Sequence, residues 1–441
     1  MIAQADFFEV LYPRREIGVS HYPMPSLPVA DKSLKSLDFL NQRPKPNNGM
    51  LLYLHIPFCE TFCSFCPYNK IKIDLAKVKK YLLSLTKELT WYSQTQYVAQ
   101  STIDAVYFGG GTPSLLTSNE LRDLLQTIKA HFRLSAALEI TVEGNASSFN
   151  EEKLTMLKNE GVNRISLGIQ TFNDRIGIPL NLPHSSAQAI EIIQKIKKLH
   201  FPNLSIDLMY NLPGQSMDAW KKDIEQAVFL NIDHITLFHL VVVPTTALFR
   251  KVQNRELFVQ DLHNELMMFH EGARNLILNG YQQQSTYDFG LPGKFHIYAV
   301  KHFVEKYDLL GLGMGSFGEI NRKTYINSGN FAEYVDSVEN NQLPIHLQNE
   351  VVADEDIHAQ FSMGLRFLEV DFSGFKEEAS RRFFKVFQRL LKKDLIVISN
   401  EKIALTQKGK LWGNNICKEF YSDEYKLSIP GWQRMEELAK K

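Results

Sequence analysis

Residues 51–70 read LLYLHIPFCETFCSFCPYNK: an apolar run that breaks at Pro57 into a loop carrying three of the chain's four cysteines, Cys59, Cys63 and Cys66. The run has the length and composition of a buried strand. Five more such runs follow: IDAVYF (103–108), LEITVE (138–143), RISLGI (164–169), LSIDLM (204–209) and HITLF (234–238). Between them lie segments with apolar spacing near that of a helix, such as VKKYLLSLTKELTWY, NELRDLLQTIKAHF, EEKLTMLKNEG and MDAWKKDIEQAVFLN. Six strand–helix repeats predict an α/β fold of parallel strands buried on both faces, either an open sheet or a partial barrel. Both architectures put ligand sites at the C-terminal ends of the strands.

Unusual residues stand at those ends. The cysteine loop follows the first run, and GGGTP (109–113) follows the second. Glu143 ends the third run, Gln170 follows the fourth, and Asp207 lies within the fifth. Three cysteines spaced C-x-x-x-C-x-x-C on a loop can converge on one metal centre. Three thiolates suit a 4Fe–4S cluster with one iron left open to an exogenous ligand, since most such clusters take four cysteines. Structural zinc is the alternative, with His55 or Cys417 as fourth ligand, although paired C-x-x-C motifs at a distance are absent. Successive glycines let backbone N–H groups approach a ligand, or simply make a tight turn. Glu143 and Asp207 beside such a cleft are suited to hydroxyl or ammonium groups; elsewhere, acids at strand ends are solvated or cap the next helix.

Bulk chemistry is that of an ordinary globular chain: 441 residues, 44% hydrophobic, 22% charged, with 49 basic and 49 acidic side chains. Balanced charge names neither nucleic acid nor membrane as a partner. The first residues lack the apolar core of a secretory signal, and no run approaches a membrane span. A cytoplasmic protein with reduced thiols is expected, and a monomer. Residues 1–50, Pro-rich in part, read as an N-terminal arm, 51–245 as the partial barrel, and 246–345, where LLGLGMGSFGEI (309–320) reads as strand then loop, as an extension of it. Residues 346–441 predict helices around a short β-ribbon, a winged-helix-like α+β domain placed as a lid. Its helix RRFFKVFQRLLKKD is basic and aromatic, as in a nucleic-acid binder, but the spacing describes an amphipathic core helix at least as well.

YLHIPFCETFCSFC, VYFGGGTP, ITVEGN, SLGIQTFN and SIDLMYNLPGQ occur in the order found in radical S-adenosylmethionine (SAM) enzymes. The chain resembles their oxygen-independent coproporphyrinogen III dehydrogenase branch, from about Leu51 to Phe238 and more loosely through LTQKGKLWGNNIC. The resemblance implies a partial (β/α)6 barrel. It also implies that Cys59, Cys63 and Cys66 hold a 4Fe–4S cluster whose open iron is chelated by SAM. An electron from a donor such as flavodoxin or ferredoxin would then cleave SAM to a 5′-deoxyadenosyl radical. Tyr53, Gly110, Gly111, Thr112, Glu143, Gln170 and Asp207 match the family's SAM contacts. Enzymes of this branch can hold a second SAM, and Phe65, Gly111, Met209 and Val241 fall where it would be touched.

Three departures separate the chain from the decarboxylating members. Tyr68 replaces a further cysteine, Leu182 replaces an arginine twelve positions after Gln170, and Asn211 replaces the glycine of a Gly-Leu-Pro motif. Losing a guanidinium that could clamp a carboxylate is not conservative; Arg175 is the nearby candidate to replace it. The reading expected from this pattern is a class C methyltransferase, adding a methyl or methylene carbon from a second SAM to an sp² carbon of an aromatic or tetrapyrrole-like substrate. His239, in LFHLVVVP, is its candidate acid or base. Porphyrinogen propionate decarboxylation and haem chaperoning are the alternatives.

Overall fold

The computed structural model describes residues 7–13, 15, 21–26, 37–44 and 49–428. Each of the six expected runs forms a strand: β1 (Gly49–Ile56), β2 (Thr102–Gly110), β3 (Leu134–Gly144), β4 (Arg164–Gln170), β5 (Asn203–Tyr210) and β6 (His234–His239). They lie side by side in chain order, all parallel. A seventh parallel strand, β7 (Asp308–Leu312), adds to the outer side of β1. The order β7-β1-β2-β3-β4-β5-β6 does not close on itself. Antiparallel strands Phe317–Ile320, Lys323–Asn327 and Ile345–Glu350 continue from β7, and Asp288–Gly290 with Gln282–Gln283 continue from β6. The sheet is thus a partial barrel whose two edges are covered by short ribbons, which spares the parallel strands an exposed edge.

The helices start where local chemistry allows. Thr117 caps Ser118–His131 in a box with Glu120, and Ser185 caps Ser186–Lys198 in a box with Gln188. Asp74, Asn150 and Ser216 cap Leu75–Ser93, Glu151–Asn159 and Met217–Phe229. One set of alternate strand residues packs against these helices: Val106 and Phe108, Ile140 and Val142, Ile165 and Leu167, Leu204 and Ile206, Ile235 and Leu237 share a single core with them. Because side chains alternate across a strand, the other set faces the barrel interior. That set is polar and small: Thr141 and Glu143, Arg164, Ser166 and Gly168, Ser205 and Asp207, His234 and Thr236. Closed eight-stranded barrels fill this space with branched apolar residues; here polar side chains line β3 to β6, and Leu51, Ala105, Leu309 and Phe317 form an apolar cluster on the side of β1, β2 and β7.

The C-terminal part has a helix Glu355–Gly364, a helix Lys376–Lys392 and a three-stranded antiparallel sheet of Glu369–Asp371, Lys402–Leu405 and Ile396–Ser399. Phe361 stacks on Phe420 at 5.0 Å and meets Phe383 at 4.9 Å to form its aromatic core. Lys376–Lys392 buries Ala379, Phe383, Phe387 and Leu390 along one face, and its Arg382 pairs with Asp354 and Glu378. These are the marks of the amphipathic core helix that its spacing predicts. The domain meets the barrel where the Thr286 N–H donates to the Arg366 carbonyl at 2.8 Å and the Thr286 hydroxyl reaches Asn414 at 3.1 Å. The expected N-terminal arm lies largely outside the described residues. The parts that are described are anchored: Tyr22 is buried between Tyr421 and Tyr425, and Arg15 lies over the Phe269 ring at 4.8 Å. No helix among the described residues is long and apolar enough to cross a membrane.

Candidate functional site

The cysteine loop is held between strand ends. Phe58–Cys59 pairs in parallel with Ile71–Lys72, and the Ile73 N–H donates to the Cys59 carbonyl at 3.0 Å. Ser64 donates its N–H to Leu180 and accepts from Leu248, while the Asn181 amide donates to the Phe62 carbonyl at 2.9 Å. Lys70 donates to the Cys66 carbonyl at 2.6 Å. From the other side the glycines close in. A Cβ on Gly111 would stand 2.7 Å from the Phe58 carbonyl oxygen and 2.8 Å from Pro57 backbone. Gly110 has φ +111°, and a Cβ there would strike the His55 ring at 2.6 Å. Gly111 and Thr112 then donate N–H groups to Ile56 and Phe58, each at 2.8 Å, and the Thr112 hydroxyl lies 3.7 Å from Cys59 Sγ. The glycine run is therefore a close backbone approach to the cysteine loop, beyond what a turn alone would require.

All three thiols are free. Burial, followed by the nearby Cys66 and Cys59 sulfurs, pushes the Cys63 thiol up to about 12. Burial likewise raises Cys59, partly offset by the Thr112 hydroxyl. Such thiols become stable thiolates only by bonding a metal. Zinc lacks its fourth ligand: His55 turns its ring nitrogens to the Asn69 carbonyl and the Tyr53 hydroxyl, each at 3.2 Å, and Cys417 is buried in the C-terminal core. Among the described residues no three His, Cys, Asp or Glu side chains converge on a single-ion site. Three sulfurs on one pinned loop, without a fourth, fit an iron–sulfur cluster with an open corner.

On the same rim the Tyr107 hydroxyl donates to Glu143, and the Gly110 N–H reaches the same carboxylate at 3.3 Å. Burial raises the Glu143 pKa, against these two donors and the charge of Arg164. Asp207 is pushed up to about 7, first by burial and then by Glu143, with Arg164 opposing. Both side chains keep accessible surface, so this is the burial of a deep cleft open to a ligand. Gln170 ends β4 at a bulge with φ +66°. Asn211 also lies at positive φ, +62°, a region asparagine tolerates best after glycine. That accounts for its replacing the family glycine.

The remaining expected residues divide. Tyr53 stacks near Tyr107 at 6.1 Å, inside the mouth. Phe65 and Met209 pack with Leu182 in an apolar cluster of Ile176, Leu180, Leu212, Leu240 and Leu248, and Val241 is half-buried on the loop after β6. Leu182 thus puts hydrocarbon where the family's arginine stands, and Arg175 is exposed on a neighbouring turn. His239 is half-buried, its ring 6.4 Å from that of Tyr210. Burial, with Arg15 and Lys418 nearby, drops its pKa to about 3, leaving a neutral imidazole that is a weak base. Tyr68 is 68% exposed on the cysteine loop, and its hydroxyl pKa is raised, first by loss of hydration and then by Glu143, Cys66 and Asp207, against Arg366.

The radical SAM superfamily model matches residues 53–227. Heme chaperone HemW of Bacillus subtilis is 30% identical over 377 residues, covering 84% of this chain and 99% of that protein. Anaerobilin synthase of Escherichia coli O157:H7 is 26% identical, covering 93% of this chain and 92% of its own. The solved structure of coproporphyrinogen III oxidase (HemN) from Escherichia coli superposes with a TM-score of 0.81 over 93% of this chain and 97% of that one, at 24% identity. The chain belongs to the radical SAM superfamily, in its HemN-like branch. Its cofactors are accordingly a 4Fe–4S cluster and SAM, and its partial barrel is the radical SAM fold.

Within that fold, several functional neighbours escaped the sequence reading: Tyr107, which orients Glu143, and Arg164, Thr236 and Asp288, which set the charge around Asp207. Their signal was present as polar residues at alternate positions of apolar strands, RISLGI and HITLF among them.

Proposed function

We propose that this radical SAM protein acts on a tetrapyrrole-like ligand held over the cysteine loop. The observation that carries the reading is one rim bearing three thiols, two carboxylates and the accessible aromatic side chains Phe62, Tyr68 and Phe238. Broad exposed rings at a cleft favour a flat, conjugated ligand. The relatives are named for heme chaperoning, anaerobilin synthesis and coproporphyrinogen III oxidation, which supports the same ligand class.

In this reading Cys59, Cys63 and Cys66 hold the cluster, and Tyr53, Gly110, Gly111, Thr112, Glu143, Gln170 and Asp207 hold SAM. When bound there, cluster and SAM together supply hydrogen abstraction from an unactivated carbon, given one electron from an external donor. Glu143, oriented by Tyr107, and Asp207 take the ligand's ammonium and hydroxyl groups. The C-terminal domain, from about residue 346, closes the mouth against water. His239, neutral and weakly basic after burial, offers a ring nitrogen to the ligand as a hydrogen-bond acceptor, and acts as the base only where ligand binding raises its pKa. Transfer of a methyl or methylene group from a second SAM beside Phe65, Met209 and Val241 is the finer form of the proposal; it rests on Tyr68 and Leu182, where the chain departs from the decarboxylating pattern. The working place of such a protein is the cytoplasm.

The test is anaerobic incubation of the reconstituted protein with a reductant, methyl-labelled SAM and haemin. The expected result is tetrapyrrole-dependent 5′-deoxyadenosine, with label in the tetrapyrrole if methyl transfer operates. A second reading, haem chaperone, is favoured by the match to nearly the full length of HemW. Stoichiometric haem binding with no SAM cleavage would select it and overturn the enzymatic one.

A further inference from the structure

Arg164 is a buried charge inside the barrel for which neither sequence motif nor proposed role accounts. Strand register puts Thr141, Arg164 and Asn203 in one row, Glu143, Ser166, Ser205 and His234 in the next, and Gly168, Asp207 and Thr236 in the row above. Successive inward rows lie about 6.7 Å apart along a strand, roughly the reach of an extended arginine side chain. Arg164 thus stands one row below Glu143 and two below Asp207, with Glu139 in the row beneath its own, so its side chain has all three carboxylates within reach. Arg164 is 2% exposed, and its Nε and Nη1 meet no protein acceptor. His234 Nε2, His296 Nε2 and Thr141 Oγ1 are also buried without a partner. Buried donors and acceptors without a protein partner are satisfied by ordered water.

The electrostatics converge on the same point. Arg164 opposes the burial of three carboxylates, Glu139, Glu143 and Asp207. Other groups face the pair as well: Tyr53, Tyr107, Tyr298 and Tyr68 around Glu143, Asp288 and Thr236 around Asp207, and His234 and His296 around Arg164. Both histidines are held neutral by burial, so neither can replace the guanidinium.

We propose that Arg164 is a positioning residue for SAM: from beneath the site, through ordered water, it keeps Glu143 and Asp207 charged and oriented for the ligand's ammonium and hydroxyl groups. This rests on reading those two acids as SAM contacts. It is tested by equilibrium dialysis of labelled SAM against the anaerobically reconstituted full chain from acid to alkaline pH, for wild type, R164Q and R164K. R164Q is expected to shift the binding midpoint to higher pH by about one unit and to weaken SAM about tenfold at neutral pH; R164K stays near wild type. An R164Q protein with wild-type iron content and melting temperature but an unmoved midpoint overturns the proposal. If R164Q folds poorly, the double variant R164Q/D207N must melt higher than R164Q; no recovery overturns the charge-balance argument. SAM binding unchanged in both E143Q and D207N would instead sink the reading of the acids, and the proposal with it.

Discussion

Replacing Gly111 by alanine inserts one methyl group against backbone that cannot turn aside. The new Cβ would lie 2.7 Å from the Phe58 oxygen, 2.8 Å from Pro57 and 2.9 Å from the Ile56 oxygen, where ordinary contact begins at 3.4 Å. The difference, 3.4 minus 2.7, requires a displacement of about 0.7 Å between β2 and the segment leading to Cys59. Catalytic constellations tolerate about 0.5 Å, so the loop leaves its working geometry. Overpacking of this kind costs about 1–3 kcal/mol, and the bonds from Gly111 to Ile56 and from Thr112 to Phe58 are stretched with it. The expected outcome is a lower melting temperature and iron content reduced by about half or more after anaerobic reconstitution. Gly374→Ala is the control, because nothing lies within 4 Å of its Cβ. A Gly111→Ala protein that loads iron and melts like that control would refute the claim that the glycine run braces the cysteine loop.

Other outcomes follow from the same geometry. Leu182→Arg restores the family's charge at the half-buried edge of the cluster of Ile176, Leu180, Met209 and Leu240 and should destabilise the fold by about 1–3 kcal/mol, because the larger side chain overpacks that edge even as its head reaches water; unchanged chemical denaturation would show that the side chain reaches the cleft instead. Asp207 has its folded pKa raised to about 7, above its unfolded value, so the folded form binds the extra proton and stability falls as pH rises from about 4 through 7. Asp207→Asn should therefore raise the melting temperature of the apo-protein at alkaline pH while leaving it little changed near pH 4, and it should abolish SAM binding; a pH-independent difference in melting would contradict the assignment. Cys63→Ser should lose the iron–sulfur absorbance and Cys417→Ser should keep it, since Cys417 lies within the C-terminal core. Equal iron loss in both would revive the fourth-ligand reading.

Periodicity carried a large part of the fold. The six runs become β1 to β6 because alternate Val, Ile, Leu and Phe side chains need helices on their outer face, and the intervening segments supply amphipathic helices with capping residues at their starts. The glycines and cysteines were legible for a similar reason, since residue type and close spacing alone limit what such a loop can do. Local pattern showed a strand at the start of LLGLGMGSFGEI, but it could not tell that β7 (Asp308–Leu312), about seventy residues after β6, joins β1 from the far side. Nor could it tell that Leu182 packs half-buried against an apolar cluster while Arg175 faces solvent, or that Tyr68 on the cysteine loop stays exposed.

Sequence by itself determined which side chains could bind iron and which strands would line a parallel sheet, because both depend on chemistry within a few neighbouring residues. Tertiary structure decided the charge balance inside the barrel. Arg164, Glu143 and Asp207 stand on three different strands, and only the register that brings those strands together turns three separate ionisable groups into one coupled site.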